Sequence, residues 1–295
     1  IKGYVNGIFN AINNIIEQSM YICFLYEYLE LSVKNDNNKI KIERIDSIKF
    51  ENVSFRYNSG SYGVRNLNFE ITSNQTIAII GENGSGKTTL MKLLLGLYTN
   101  YEGRILINGM TLDAINRDLY YKKISAVFQD FIKYETSLRE NIAYGDIEKI
   151  NEERGVSKLI EKIGLKEKTN NSRGIDVILG KWFGENQCSG GEWQRIAIAR
   201  ALFNENAEMY FFDEPDAALD IIKQKEIYKL IREKTKNKIC VYVTHKISNI
   251  CKDADTIIIL KNGKIEDIGR HDELINKSNY YYQLYLKYTS EKEKK

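Results

Sequence analysis

The stretch "GENGSGKT", residues 81–88, limits what this chain can fold into more than any other feature of its sequence. It follows an apolar strand-like run, "QTIAII", and precedes an apolar helical run, "TLMKLLLGL". A loop of the form Gly-x-x-x-x-Gly-Lys-Thr lets backbone N–H groups wrap a chain of phosphates, and a helix N-terminus adds favourable potential. Lys87 then neutralises the β and γ phosphates, and the Thr88 hydroxyl is available to Mg²⁺. The order strand, glycine turn, helix predicts an α/β fold.

Two further runs read as buried strands, "MYFFD" (209–213) and "KICVYVTH" (238–245), with the helical "DIIKQKEIYKLIREKT" between them. Right-handed crossovers make such strands parallel. Upstream, "SIKFENVSFRY" and "VRNLNFEI" alternate with period two, as half-buried antiparallel strands do. The 130–206 region is mostly helical in pattern and reads as a subdomain inserted into the α/β core. "TIIILKNGKIEDIG" reads as a hairpin turning at Asn262 and Gly263. Residues 1–34 are expected to form a helical lead-in, 35–46 a polar linker, 47–290 the main domain and 291–295 a charged tail.

A phosphate loop needs an acid for its metal at the end of a neighbouring strand, and "MYFFDE" supplies Asp213 there. Glu214 follows directly, so one carboxylate can hold Mg²⁺ while its neighbour orients and deprotonates the attacking water. His245, at the end of "VYVTH", lies on the same sheet edge and is assigned a γ-phosphate contact. His271 reads as turn chemistry before a late helix. With 43 Lys and Arg against 40 Asp and Glu, a formal charge of +3 gives no support to a nucleic-acid partner. The four cysteines show no metal-binding spacing and suit a reducing cytosol. The longest uncharged stretch, Gly3 to Ile16, is 14 residues and contains four asparagines, well short of a membrane span.

"CSGGEWQR", residues 188–195, poses a separate question. Ser189 and Glu192 form a Ser-x-x-Glu capping box, and Trp193, Ile196, Ala197 and Ala201 share a helix face, so the helix needs no ligand to explain it. Two adjacent glycines at its start are costly unless something approaches their amides closely. A helix N-terminus with a serine and small residues is an anion site.

The ordered set "GENGSGKT", "FQD", "CSGGE", "MYFFDE", "ALD" and "VTH" resembles the nucleotide-binding domain of ATP-binding cassette transporters over about residues 47–290. The resemblance implies a P-loop NTPase (RecA-like) parallel-sheet core with an antiparallel β subdomain and an inserted helical subdomain. It implies an ATPase that uses ATP and Mg²⁺, with Glu214, His245, Gln129 and Lys87 catalytic and Thr88, Gln129 and Asp213 around the metal. ATP would lie against Gly81, Glu82, Asn83, Gly84, Ser85, Gly86, Lys87, Thr88 and Thr89, with Tyr57 stacked on adenine. Ser189, Gly190, Gly191, Glu192 and Asp220 would serve the ATP of a second copy paired head to tail, with Ala218–Asp220 crossing to it.

By the same resemblance, the first helix is the cytosolic end of the last membrane helix of an exporter with fused halves, at the cytoplasmic face of the cell membrane. "FQDFIKYETSLRENIAYGD" and "LGKWFGENQCSGGEWQR" further resemble exporters of lantibiotic and other ribosomal peptides, with lipid or drug export as the alternative cargo and a soluble cassette ATPase as the alternative class. Two residues depart from the family pattern: Cys188 replaces a leucine and Glu192 a glutamine. If Glu192 folds back it faces its own helix; if it turns outward it repels the γ-phosphate. A GTPase would show an Asn-Lys-x-Asp guanine reader, and "NKIC" and "NKSN" lack the aspartate.

Overall fold

The structure, a computed structural model, describes residues 2–30, 39–180, 187–245, 247, 249–277 and 279–293. Part of the sequence assigned to the linker (35–38), part of the peptide-exporter wording (181–186) and the end of the tail (294–295) lie outside the described residues. The chain divides into two units, residues 1–39 and 40–295.

The first unit is helix α1 (Lys2–Glu30), none of whose residues is buried. No described helix is long and apolar enough to cross a membrane. The second unit runs through β1 (Ser47–Arg56), β2 (Tyr62–Thr72), β3 (Thr76–Ile80), α2 (Lys87–Leu94), β4 (Tyr101–Ile107), β5 (Met110–Thr111), α3 (Arg117–Lys122) and β6 (Ile124–Val127). It continues with α4 (Leu138–Ala143), α5 (Glu153–Lys162), α6 (Gly190–Phe203), β7 (Met209–Asp213), α7 (Ile221–Lys234) and β8 (Ile239–Thr244). It closes with α8 (Asn249–Asp253), β9 (Thr256–Lys261), β10 (Lys264–Gly269), α9 (His271–Lys277) and α10 (Asn279–Glu293).

The expected two-layer division is present. A six-stranded sheet has the order β10-β9-β3-β8-β7-β6, parallel except for β10, and a four-stranded antiparallel sheet has the order β2-β1-β4-β5. Every residue of β7 and β8 is buried, which is why both are continuous apolar runs rather than alternating ones. β1 and β2 pair antiparallel as read, with their alternation interrupted by register shifts near Asn52 and Asn66, and β4 and β5, unassigned in the sequence, complete their sheet. β9, read only as a hairpin arm, also pairs in parallel with β3. Ile42 and Ile45, inside the segment read as linker, are buried in the core between the two sheets.

The hairpin turns where the Asn-Gly pair placed it, with φ of 51° at Asn262 and 75° at Gly263. Its tip also braces the phosphate loop: Gly263 N donates to Ser85 O (3.0 Å) and Gly263 O accepts from Arg65 N (2.6 Å). Between β6 and β7 the described chain is helical, with α4, α5 and α6 packed around a second apolar core that includes Ile142, Leu159, Ile196 and Phe212.

A polar knot ties this helical region to the segment after Gln129. The fully buried Asn141 donates to Tyr134 O (2.9 Å) and Ser137 O (3.1 Å) and accepts from Arg200 Nη2 (3.0 Å). Arg200 also donates to Ile132 O (3.1 Å) and lies over the Tyr134 ring. Truncating Asn141 removes one acceptor of the Arg200 guanidinium and the donor to the Tyr134 and Ser137 carbonyls, a loss of about 2–3 kcal/mol. Asn141→Ala is expected to lower the unfolding free energy by that amount, read as a lower urea midpoint with an unchanged m-value.

Candidate functional site

The parallel ladder brings the predicted residues to one edge. Ile80 pairs with Thr244 and Asp213 with Val243, so the glycine loop, the two carboxylates and His245 all leave the sheet at the ends of adjacent strands. The loop turns into α2 through Gly86, whose φ of 102° is strained for any residue with a side chain and where a Cβ would lie 2.6 Å from Gly63 O. No side chain caps the first amides of α2, which leaves them to a ligand. Ser85 Oγ is buried without a hydrogen-bond partner, a further vacant polar valence inside the loop.

Lys87 is buried and folds back onto the loop, donating to Gly81 O (2.7 Å) and Glu82 O (2.9 Å). Burial lowers its pKa, opposed by the charges of Glu214 and Asp213. Burial, reinforced by the neighbouring Glu214 charge, raises the Asp213 carboxyl to about 6. A crowded acid pair facing a hydroxyl and a single ammonium fits a divalent cation, which relieves both effects. Uncapped amides, an orphaned hydroxyl and a buried lysine likewise fit a polyphosphate. Gly86, Lys87, Asp213 and Glu214 line a cleft of ≈ 290 Å³ with Tyr57, Asn83, Gly84, Thr88, Thr89 and Gln129, and Ser85 lies behind its lining. A larger cavity, ≈ 860 Å³, lies among α5 and the lysines around it and contains none of the predicted site residues.

Glu214 is gripped from four directions. Its amide donates to Val243 O (2.9 Å) and its carbonyl accepts from Gln194 Nε2 (2.8 Å). One carboxylate oxygen accepts from Gln129 Nε2 (3.3 Å) and the other is hydrogen-bonded to His245 Nδ1. His245 thus contacts the second carboxylate directly, a partner its strand-end position did not predict. The Glu214 φ is +49°, and every other described non-glycine residue with positive φ is an asparagine. Such an outlier, held by this many bonds, is what a functional position shows.

Tyr57 stands at the far end of the cleft, 39% exposed, with its hydroxyl 2.6 Å from Thr89 Oγ1 and its ring edge-on to Phe55 and Tyr98. The sequence reading missed Tyr62, which lines the same cleft with its ring between the guanidiniums of Arg56 (3.8 Å) and Arg65 (4.1 Å). Alternation along β2 gave no hint of it.

The second glycine stretch forms a different cleft, ≈ 410 Å³, lined by Ser189, Gly190, Gly191, Arg195, Ala218, Leu219, Asp220 and Lys223. The two clefts share no lining residue. The capping box is present in both directions: Ser189 Oγ accepts from Glu192 N (3.3 Å) and Glu192 Oε2 accepts from Ser189 N (2.7 Å). A Cβ on Gly191 would lie 2.7 Å from Ala218 O, so a glycine lets helix α6 and the 218–220 loop touch. Asp220 caps α7 through Lys223 N (2.9 Å).

Gln194, buried on α6 and absent from the sequence-derived site, joins the two clefts. It donates to Glu214 O and its Oε1 accepts from Ala218 N (2.9 Å). The only sequence signal was a polar residue on an otherwise apolar helix face.

Fold and loop together define a nucleoside triphosphate-binding domain of the phosphate-loop class. Residues 64–217 match the ABC transporter family model, and the chain belongs to that family. It is 39% identical over 289 residues to the subtilin transport ATP-binding protein SpaT of Bacillus subtilis, covering 96% of this chain and 47% of that protein. It is 37% identical over 292 residues to the nisin transport ATP-binding protein NisT of Lactococcus lactis subsp. lactis, covering 97% and 48%. An ATP-bound bacterial Atm1-family ABC exporter superposes with a TM-score of 0.82 at 26% identity, covering 92% of this chain and 47% of that one. The chain therefore spans about half the length of the relatives it matches.

Gln194→Leu keeps the side-chain volume but removes both hydrogen bonds. The Ala218 amide is expected to lose protection from hydrogen exchange by about tenfold or more, a loss of roughly 1.4 kcal/mol locally.

Proposed function

We propose that this domain hydrolyses ATP between two copies paired head to tail and so powers export through a membrane domain at the cytoplasmic face of the cell membrane. The observation that carries this reading is the separation of two anion-suited clefts on one chain, one with the carboxylates and one without. Each cleft is half of a site that a second copy completes. The Atm1-family structure, described as ATP-bound, supports it.

Within the complete site each residue has a task. ATP and Mg²⁺ supply the phosphoanhydride bond and a divalent charge, and Thr88, Gln129 and Asp213 would hold the metal. Lys87 and the loop amides neutralise charge on the β and γ phosphates. Glu214 takes the proton of the attacking water, and His245 fixes the carboxylate rotamer through its Nδ1 contact. Gln129 reaches the same carboxylate from the turn after β6, so a shift of that turn moves the base. Tyr57 presents its ring to adenine. Ser189 and the Gly190 and Gly191 amides bind the γ-phosphate of the opposite copy, and Asp220 crosses towards it.

A peptide cargo is favoured because the names of SpaT and NisT describe transport of subtilin and nisin. The test is Glu214→Gln. It is expected to bind ATP and accumulate as an ATP-bound dimer while turnover falls at least about 10²-fold. Turnover within twofold of the parent would overturn the general-base assignment, and a strictly monomeric protein in saturating ATP would overturn the paired site. Tyr57→Ala should weaken nucleotide binding by roughly tenfold through lost stacking, read by fluorescence titration.

A further inference from the structure

Glu192 is the departure that most threatens the second cleft, because a carboxylate there competes with a phosphate for the positive end of α6. Its placement answers the threat. One oxygen, Oε2, is spent on the Ser189 amide (2.7 Å), and the other, Oε1, is 3.2 Å from Lys168 Nζ. Lys168 belongs to the short turn Lys166–Thr169, 24 residues away in sequence, and also donates to Gln187 O (3.0 Å). Both side chains are largely withdrawn from water, 15% exposed for Lys168 and 23% for Glu192, so the pair is screened less than a surface ion pair.

We infer that Lys168 is a positioning residue that neutralises Glu192 and holds its carboxylate against its own helix, so that Ser189, Gly190 and Gly191 remain open to a phosphate. The inference rests on the reading of that segment as half of a site for the opposite copy's ATP. Burial works against the charged form of Glu192, yet the bonds from Ser189 and Lys168 outweigh it and hold its pKa below the usual value. The carboxylate is therefore ionised at neutral pH, and its charge must be matched locally. The nearby cations have other engagements: Arg195 donates to Ile163 O (2.6 Å) and Gly164 O (3.0 Å), and Lys223 to Glu226 (2.8 Å). Remove Lys168, and the compensated carboxylate becomes an exposed negative charge one residue from Gly191.

The experiment uses the whole chain carrying Glu214→Gln, so that nucleotide binding is read without turnover. It measures the ATP concentration giving half-maximal dimer by sedimentation velocity. Lys168→Met is expected to raise that concentration about tenfold, and Lys168→Arg to leave it within about threefold. Adding Glu192→Gln to Lys168→Met should restore it to within about twofold of Glu192→Gln alone, because no charge is left to neutralise. The Lys168→Met penalty should also shrink at high salt. If the double variant stays as impaired as Lys168→Met, Lys168 acts only by holding Gln187 and the inference fails. It fails equally if Lys168→Met changes nothing. A parent that forms no dimer in ATP would instead overturn the shared-site reading, and this inference with it.

Discussion

Ile80 lies opposite Thr244, and Asp213 opposite Val243, in a parallel ladder whose strands are buried on both faces. That register holds the chemistry together. A slip of one residue in β7 would turn Asp213 to the other face of the sheet and carry Glu214 away from Gln129 and His245. The slip would also exchange the side chains that β7 sends into the two cores on its two faces, so that packing enforces the alignment of the polar groups at the strand ends. Packing, rather than any bond at the site itself, keeps the loop, the acids and the histidine level.

The parts legible in the sequence were those fixed by local chemistry. The glycine loop needs its spacing, the capping box its Ser-x-x-Glu, the hairpin its Asn-Gly, and buried parallel strands their unbroken apolar runs. What escaped was set by distant partners. β4 and β5 are short or polar at one end, and they are strands because β1 offers them a ladder. The parallel pairing of β9 with β3 joins segments about 180 residues apart. Gln194 and Lys168 look like ordinary helix and turn residues, and their roles exist only once Glu214, Ala218 and Glu192 are brought against them.

The same contrast separates the clefts. The first is built by backbone and by charge-bearing side chains at strand ends and at the start of α2. The second is built from a helix start and the loop from Ala218 to Asp220, with a turn from the helical region held behind the helix start by Lys168. Gln194 bridges them, bonded to the Glu214 carbonyl at one end and to the Ala218 N–H at the other. Arg200 and Asn141 extend that connection to the segment after Gln129.

The left-handed backbone of Glu214 has a thermodynamic consequence. Glycine enters that region freely and asparagine cheaply, whereas a glutamate there costs on the order of 1 kcal/mol. The domain is thus more costly to fold with the glutamate proposed as general base in place than with a glycine in the same position. Selection for heat resistance alone would favour loss of that carboxylate, at the expense of the hydrolysis proposed for it.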